Sequence, residues 1–273
     1  VGSCYASKTG KLLTGLAAIK GKLYYFNKNT AKKVTNTMVK VGSSTYYFKK
    51  DGTAVAKQWV LRSSKYYYFK SNRKMATKTW VGSNYYVGAD GARVTGLQTI
   101  GKNKYYFDNT GKLTKNTVIT IGSKQYKLNS KGVVTATVDI SVSGNTTGAK
   151  IVNTALKYVG NKYVYGGNSL TTGTDCSGFT MLIFAQYGFT LPRVANDQMN
   201  QYAKYGGAVI SLSNIQPGDL LFYGSGNYAS HVAIYMGNKQ IVHASNSQPY
   251  PKGGVKVGTY NYNTPIRAIR YWK

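Results

Sequence analysis

No stretch of this 273-residue sequence approaches the length of apolar chain needed to cross a membrane, and no signal-like apolar segment is present. A helical span is therefore excluded. Cysteine is scarce. Two residues, Cys4 and Cys176, cannot make a disulfide framework, and a bridge between them would consume the only thiol with a catalytic setting. Glutamate is missing altogether, and seven aspartates face 36 lysines and arginines, leaving a net charge of +29. Such a field attracts polyanions, whether nucleic acid, an anionic membrane surface or a phosphate-rich wall polymer. No nucleic-acid-binding signature accompanies the charge, so nucleic acid is not expected as a partner. Histidine occurs twice, at His231 and His243.

What is abundant is tyrosine, with 26 copies against 8 Phe and 3 Trp. The length suggests two domains, and 42% hydrophobic residues suffice for real cores. Charge divides them. Residues 1–140 hold 25 Lys/Arg and 4 Asp, a net +21, whereas residues 141–273 hold 11 and 3, a net +8.

The tyrosines repeat. Tyr24-Tyr25-Phe26, Tyr46-Tyr47-Phe48, Tyr67-Tyr68-Phe69, Tyr85-Tyr86-Val87, Tyr105-Tyr106-Phe107 and Tyr126-Lys127-Leu128 recur at intervals of 22, 21, 18, 20 and 21 residues. Each unit reads as an apolar strand, a Gly/Asn-type turn and an aromatic strand, which is the pattern of a β-hairpin. One hairpin cannot bury its own apolar face, so the six are expected to stack as an all-β solenoid over residues 1–138.

From Gly10 to Val138 the sequence resembles the choline-binding-type repeats of Gram-positive wall-associated proteins. The resemblance implies a non-covalent anchor to the cell envelope, with aromatic cages between repeats holding a quaternary ammonium by cation–π attraction. The sequence departs from that pattern. Only Trp59 and Trp80 stand at the tryptophan position opening a repeat, and the tryptophan expected before the tyrosine pair is Leu23, Thr45, Tyr66, Asn84, Lys104 or Gln125. Trp59, Trp80, Tyr67 and Tyr86 are the candidate wall-binding residues. The positive charge favours an anionic, teichoic acid-like wall polymer over choline as the ligand, with Lys and Arg on phosphates and Tyr faces on sugars.

Residues 139–147 are small and polar and read as a linker. Beyond them helical spacing begins at Ile151, Val152, Ala155, Leu156 and Val159. Asp175-Cys176-Ser177-Gly178-Phe179 then opens a second helical stretch. A cysteine at a helix start meets unpaired N–H groups and the helix dipole, which predicts a lowered thiol pKa and donors for an oxyanion. A thiolate nucleophile needs a base and an orienting group. His231 and His243 lie on two strand-like runs joined by Gly237-Asn238-Lys239. They share a sheet face only if that turn is odd in length or contains a bulge. One Cys and two His are a weak zinc set, because no close-spaced ligand pair precedes them.

The ordered motifs Tyr163-Val164-Tyr165-Gly166-Gly167, Asp175-Cys176-Ser177-Gly178-Phe179, Leu191-Pro192-Arg193, Gln216-Pro217-Gly218-Asp219, Ser230-His231-Val232-Ala233 and Ile241-Val242-His243-Ala244 resemble the NlpC-type cell-wall peptidases. The resemblance covers residues 148–273. It implies a papain-like α+β domain and a secreted, cofactor-free, monomeric enzyme of the cell wall. Its substrate would be the peptidoglycan stem peptide, cut at the γ-D-glutamyl bond to a diamino acid or Lys. It also implies Cys176 as nucleophile, His231 as base and His243 as the residue orienting the imidazole. Tyr163, Asp175, Ser177 and Arg193 would line the substrate, with Asp175 meeting a free amine. Other readings of the same residues are an N-acetylmuramoyl-L-alanine amidase, an acyltransferase, or a wall-binding adhesin without activity.

Overall fold

The computed structural model describes residues 3–250 and 253–273. The described residues form two compact units, divided between Thr114 and Lys115. The first consists of five hairpins: β1–β2 (Gly15–Ile19, Lys22–Phe26), β3–β4 (Thr37–Val41, Ser44–Phe48), β5–β6 (Gln58–Arg62, Lys65–Phe69), β7–β8 (Thr79–Val81, Tyr85–Val87) and β9–β10 (Gly96–Ile100, Asn103–Phe107). Tight turns close them. Ser63 and Ser64, with φ of 47° and 61°, join β5 to β6 in the left-handed geometry that matches strand twist.

Strand alternation explains the tyrosine–phenylalanine pattern. Phe26, Phe48, Phe69, Val87 and Phe107, the third members of the triplets, are all buried. Middle tyrosines pack against the next unit, with Tyr25 to Phe48 at 6.0 Å and Tyr47 to Phe69 at 6.1 Å between ring centroids. Each such phenylalanine is worth about 3–5 kcal/mol against alanine, which no isolated hairpin would gain.

The sixth hairpin, β11–β12 (Thr117–Ile121, Lys124–Leu128), falls within the second unit, where a third strand, β13 (Val134–Asp139), pairs with β12. The expected linker continues from it and is packed. Ile140 and Val142 lie against the C-terminal core, and the Asn153 amide bonds both N–H and C=O of Val142 at 2.9 Å.

In the rest of this unit α1 (Thr147–Leu156) precedes a small hairpin, β14–β15 (Asn168–Ser169, Gly173–Thr174), then α2 (Cys176–Ala185) and α3 (Ala195–Asn200). Six antiparallel strands follow: β16 (Ala208–Ile210), β17 (Leu220–Ser225), β18 (Tyr228–Gly237), β19 (Gln240–Ser245), β20 (Gly254–Thr259) and β21 (Arg267–Arg270), in the order β16-β21-β17-β18-β19-β20. The main core lies between helices and sheet. Ile151, Leu156, Phe179, Ile183 and Phe184 meet Val232, Ile234, Val242 and Ile269 there. The Gln216–Asp219 motif serves this packing. Buried Asp219 takes two bonds from Arg270, and a Cβ on Gly148 would come within 2.1 Å of the Pro217 carbonyl.

Candidate active site

Helix α2 begins at Cys176 because Asp175 caps it, accepting the Gly178 N–H at 2.8 Å. The rest of that carboxylate is occupied too. Arg193 grips both oxygens at 2.9 and 2.7 Å, and the Gly166 N–H reaches Oδ2 at 2.9 Å. Burial opposes ionisation here, but the guanidinium and the two N–H groups hold Asp175 below the usual carboxylate range. Asp175 thus anchors the helix start to the Gly166–Gly167 turn, and Arg193 completes the clamp by donating to the Gly167 carbonyl at 3.2 Å. Its expected meeting with a substrate amine is not what this geometry favours. Ser177 is buried beside the clamp, its hydroxyl 3.2 Å from Arg193.

Cys176 is 8% exposed. Burial pushes its thiol up, outweighing the N–H groups of Val232, Ser177 and Cys176 itself that favour the thiolate. The expected lowering by the helix start is therefore overturned by desolvation. Among those donors, the Val232 N–H follows His231 directly in sequence, so the thiol lies against the strand that carries the candidate base.

The two histidines meet. His231 Nε2 lies 2.8 Å from His243 Nδ1. The pairs Ile234↔Val242 and Tyr235↔Ile241 set the body of the β18–β19 hairpin, while Gly237↔Gln240 is shifted by a bulge. A two-residue turn, Asn238-Lys239 with φ of 49° and 59°, closes it. The bulge supplies the odd residue that a two-residue turn lacks, and both imidazoles fall on the odd-numbered face. Burial pulls His231 down to about 4 and His243 to about 3, helped in each case by the charge of Lys256. Both are neutral at neutral pH. With His231 Nε2 spent on His243, its Nδ1 is the nitrogen free to take a proton.

Two residues that the sequence did not single out complete the site. Tyr262, from the loop between β20 and β21, packs on His243 at 5.8 Å, His231 at 6.4 Å and Tyr223 at 4.9 Å, and burial, then the charge of Cys176, keeps its hydroxyl protonated. Lys256 stands opposite His243 on β20 and donates to Ser247 at 2.7 Å. No local motif marks either, because only tertiary packing of the β20 region brings them in. Tyr163 is where the motif predicts. Burial, then the charges of Cys176 and Asp175, raise it to about 12, so it remains a hydroxyl donor beside Cys176. Among the described residues no cluster of three or more metal-binding side chains exists.

In the array, Trp59 meets Tyr68 at 5.3 Å and Tyr85 at 5.6 Å, while Tyr67 points to the other face of its strand. Trp80 meets Tyr86 and Tyr105 at 5.5 and 5.2 Å.

Comparison with known proteins agrees with both halves. Residues 160–264 match the NlpC/P60 family, and residues 13–59, 53–92 and 94–136 match choline-binding repeats. The chain is 44% identical over 97 residues to "Probable endopeptidase p60" of Listeria seeligeri, covering 36% of this chain and 17% of that protein. It is 39% identical over 100 residues to "Bifunctional muramidase/DL-endopeptidase CwlT" of Bacillus subtilis, covering 36% and 29%. It thus spans less than a third of either relative's length. The solved NlpC/p60 domain of the peptidoglycan hydrolase SagA is 39% identical, with 45% of this chain and 98% of that one covered at a TM-score of 0.39. The chain thus carries an NlpC/P60 domain over residues 160–264, preceded by choline-binding repeats.

Proposed function

We propose that the protein is a peptidoglycan hydrolase whose C-terminal unit cuts the stem peptide at the γ-D-glutamyl bond to a diamino acid or Lys. The observation that carries the reading is the 2.8 Å contact of His243 with His231, which lies on the strand that the Cys176 thiol packs against. The names of the relatives, an endopeptidase and a DL-endopeptidase, support the bond class.

The thiol proton passes to His231 Nδ1 as sulfur attacks the amide carbonyl. The imidazolium donates Nε2–H to neutral His243 Nδ1. N–H groups of Cys176 and Ser177, already aimed at the sulfur, serve the developing oxyanion, and the Tyr163 hydroxyl stands on the same side. His231 returns the proton to the leaving amine. It then deprotonates water, which cleaves the thioester and restores the thiol. The basic array carries this chemistry to the anionic wall, at a cell-wall or extracellular location.

Digestion of purified peptidoglycan followed by mass spectrometry tests the reading. New amines on the diamino acid are expected, and Cys176→Ala should release none while still binding walls. New L-Ala amines would identify an amidase instead, and lysis by Cys176→Ala would remove the nucleophile from the mechanism.

A further inference from the structure

Successive repeats are stitched by one recurring backbone bond. The residue before the tyrosine pair of one hairpin accepts from the tail of the next: Leu23 from Ala54, Thr45 from Met75, Tyr66 from Arg93 and Asn84 from Leu113, at 2.7–2.8 Å. Four equivalent sites therefore pair one pre-tyrosine side chain with one tail side chain. Only the Tyr66–Arg93 site pairs an aromatic ring with a cation.

That site is a cage, and it is filled. The Arg93 Cζ lies 4.2 Å from the Tyr66 ring centroid, 5.4 Å from Tyr85 and 5.6 Å from Trp59. Trp59 and Tyr85 meet edge to face at 5.6 Å. The arginine stem runs tightly under Gly111, where a Cβ would come within 2.6 Å of Nε and 2.7 Å of Cδ. The chain's own guanidinium thus occupies the space in which three rings would hold a ligand cation.

A guanidinium stacked on rings keeps its N–H edges for acceptors in its plane. Among the described residues those of Arg93 donate no hydrogen bond to the protein. They border a cavity of about 450 Å³ that Lys65, Thr95, Gln98 and Asn109 also line. Lys65 adds a second cation, pairing with Asp90 at 3.3 Å where both side chains are over half exposed. The cavity therefore offers a planar fork, a flexible ammonium and neutral amides, together with the Asp90 carboxylate, which Lys65 offsets. That combination suits a phosphate group with hydroxyls attached.

We infer that the Trp59–Tyr66–Tyr85 cage is a converted site: Arg93 excludes choline from it and presents its guanidinium edge to a phosphate group carried on a polyol. The inference rests on the array being a ligand-binding module and is independent of the chemistry at Cys176.

Calorimetric titration of the full chain with sn-glycerol 3-phosphate and with choline chloride, at fixed ionic strength, tests it. The wild type should bind the phosphate and give no choline isotherm. Arg93→Met should weaken phosphate binding at least tenfold and open the cage to choline. Arg93→Lys, which keeps the charge but loses the fork, should also weaken phosphate binding, and it serves if Arg93→Met disturbs the array's circular dichroism. Wild-type choline binding, absent phosphate binding, or phosphate binding unchanged in both variants would overturn the inference.

Discussion

His231 Nε2 and His243 Nδ1 stand 2.8 Å apart, and because both rings are buried and neutral, one of them must donate and the other accept. A base that takes the thiol proton at Nδ1 carries its own hydrogen on Nε2, so His243 is the acceptor. Its other nitrogen faces Gly258, where a Cβ would stand 3.5 Å from Nε2.

Replacing His243 should therefore follow acceptor geometry. His243→Ala is expected to lower kcat about 10- to 100-fold, the usual scale for loss of an orienting partner. His243→Asn, whose Oδ1 stands near the Nδ1 position, should recover part of that loss at similar KM. Steady-state rates on stem-peptide fragments decide it, and equal rates for alanine and asparagine would show that the contact does not orient the base.

Both histidines titrate below their ordinary value of about 6.5, mainly through burial. The unfolded chain then binds protons more readily than the folded one between roughly pH 6.5 and the folded values. Stability contributed by the neutral pair is fully present above pH 6.5 and is lost as pH falls toward 4 and 3. Thermal melting should drop over that interval, and His231→Gln combined with His243→Gln should flatten the drop. The acid limb of kcat/KM should likewise fall near pH 4 to 5. A limb at 6.5 would mean that His231 is not desolvated in the working enzyme.

The Asp175–Arg193 pair governs the start of α2. Arg193→Ala removes both guanidinium bonds and leaves the carboxylate two backbone donors, at an expected cost of about 1–3 kcal/mol. Asp175→Asn keeps the cap to Gly178 but loses the charge pair, and Asp175→Ala loses both. Melting temperatures should therefore order wild type, Asp175→Asn, Asp175→Ala, with Arg193→Lys milder than Arg193→Ala. If Arg193→Ala melts like the wild type but raises KM, the guanidinium faces substrate and the clamp reading fails.

Features governed by local spacing were legible from sequence, and those governed by packing were not. The six-fold tyrosine grammar foretold the hairpins because alternation along a strand is local. Turn chemistry at 237–239 left two registers open, and the bulge that selects one depends on pairing along the whole hairpin. At Cys176 the helix start visible in sequence points to a lowered thiol pKa, whereas 8% exposure, a tertiary property, raises it. The segment after Asp139 reads as free linker by composition, yet Ile140 and Val142 find apolar partners far away in sequence.

Tyr262 is the sharpest case of a residue that only the fold reveals, and its role is testable by separating ring from hydroxyl. The ring packs against both candidate catalytic histidines and Tyr223, an arrangement suited to holding the imidazole plane. The hydroxyl stays protonated through burial, with the charge of Cys176 adding to the effect, and is held up to about 12. If the ring positions the base, Tyr262→Phe should retain most of kcat, whereas Tyr262→Ala should lower it about tenfold or more and broaden the imidazole resonances in NMR spectra. Positioning acts on geometry at the reacting atoms, where small displacements cost rate more than binding, so KM should move little in either variant. Should Tyr262→Phe lose as much kcat as Tyr262→Ala, the hydroxyl rather than the ring is the active part, and its place beside Cys176 would make it a donor to the oxyanion.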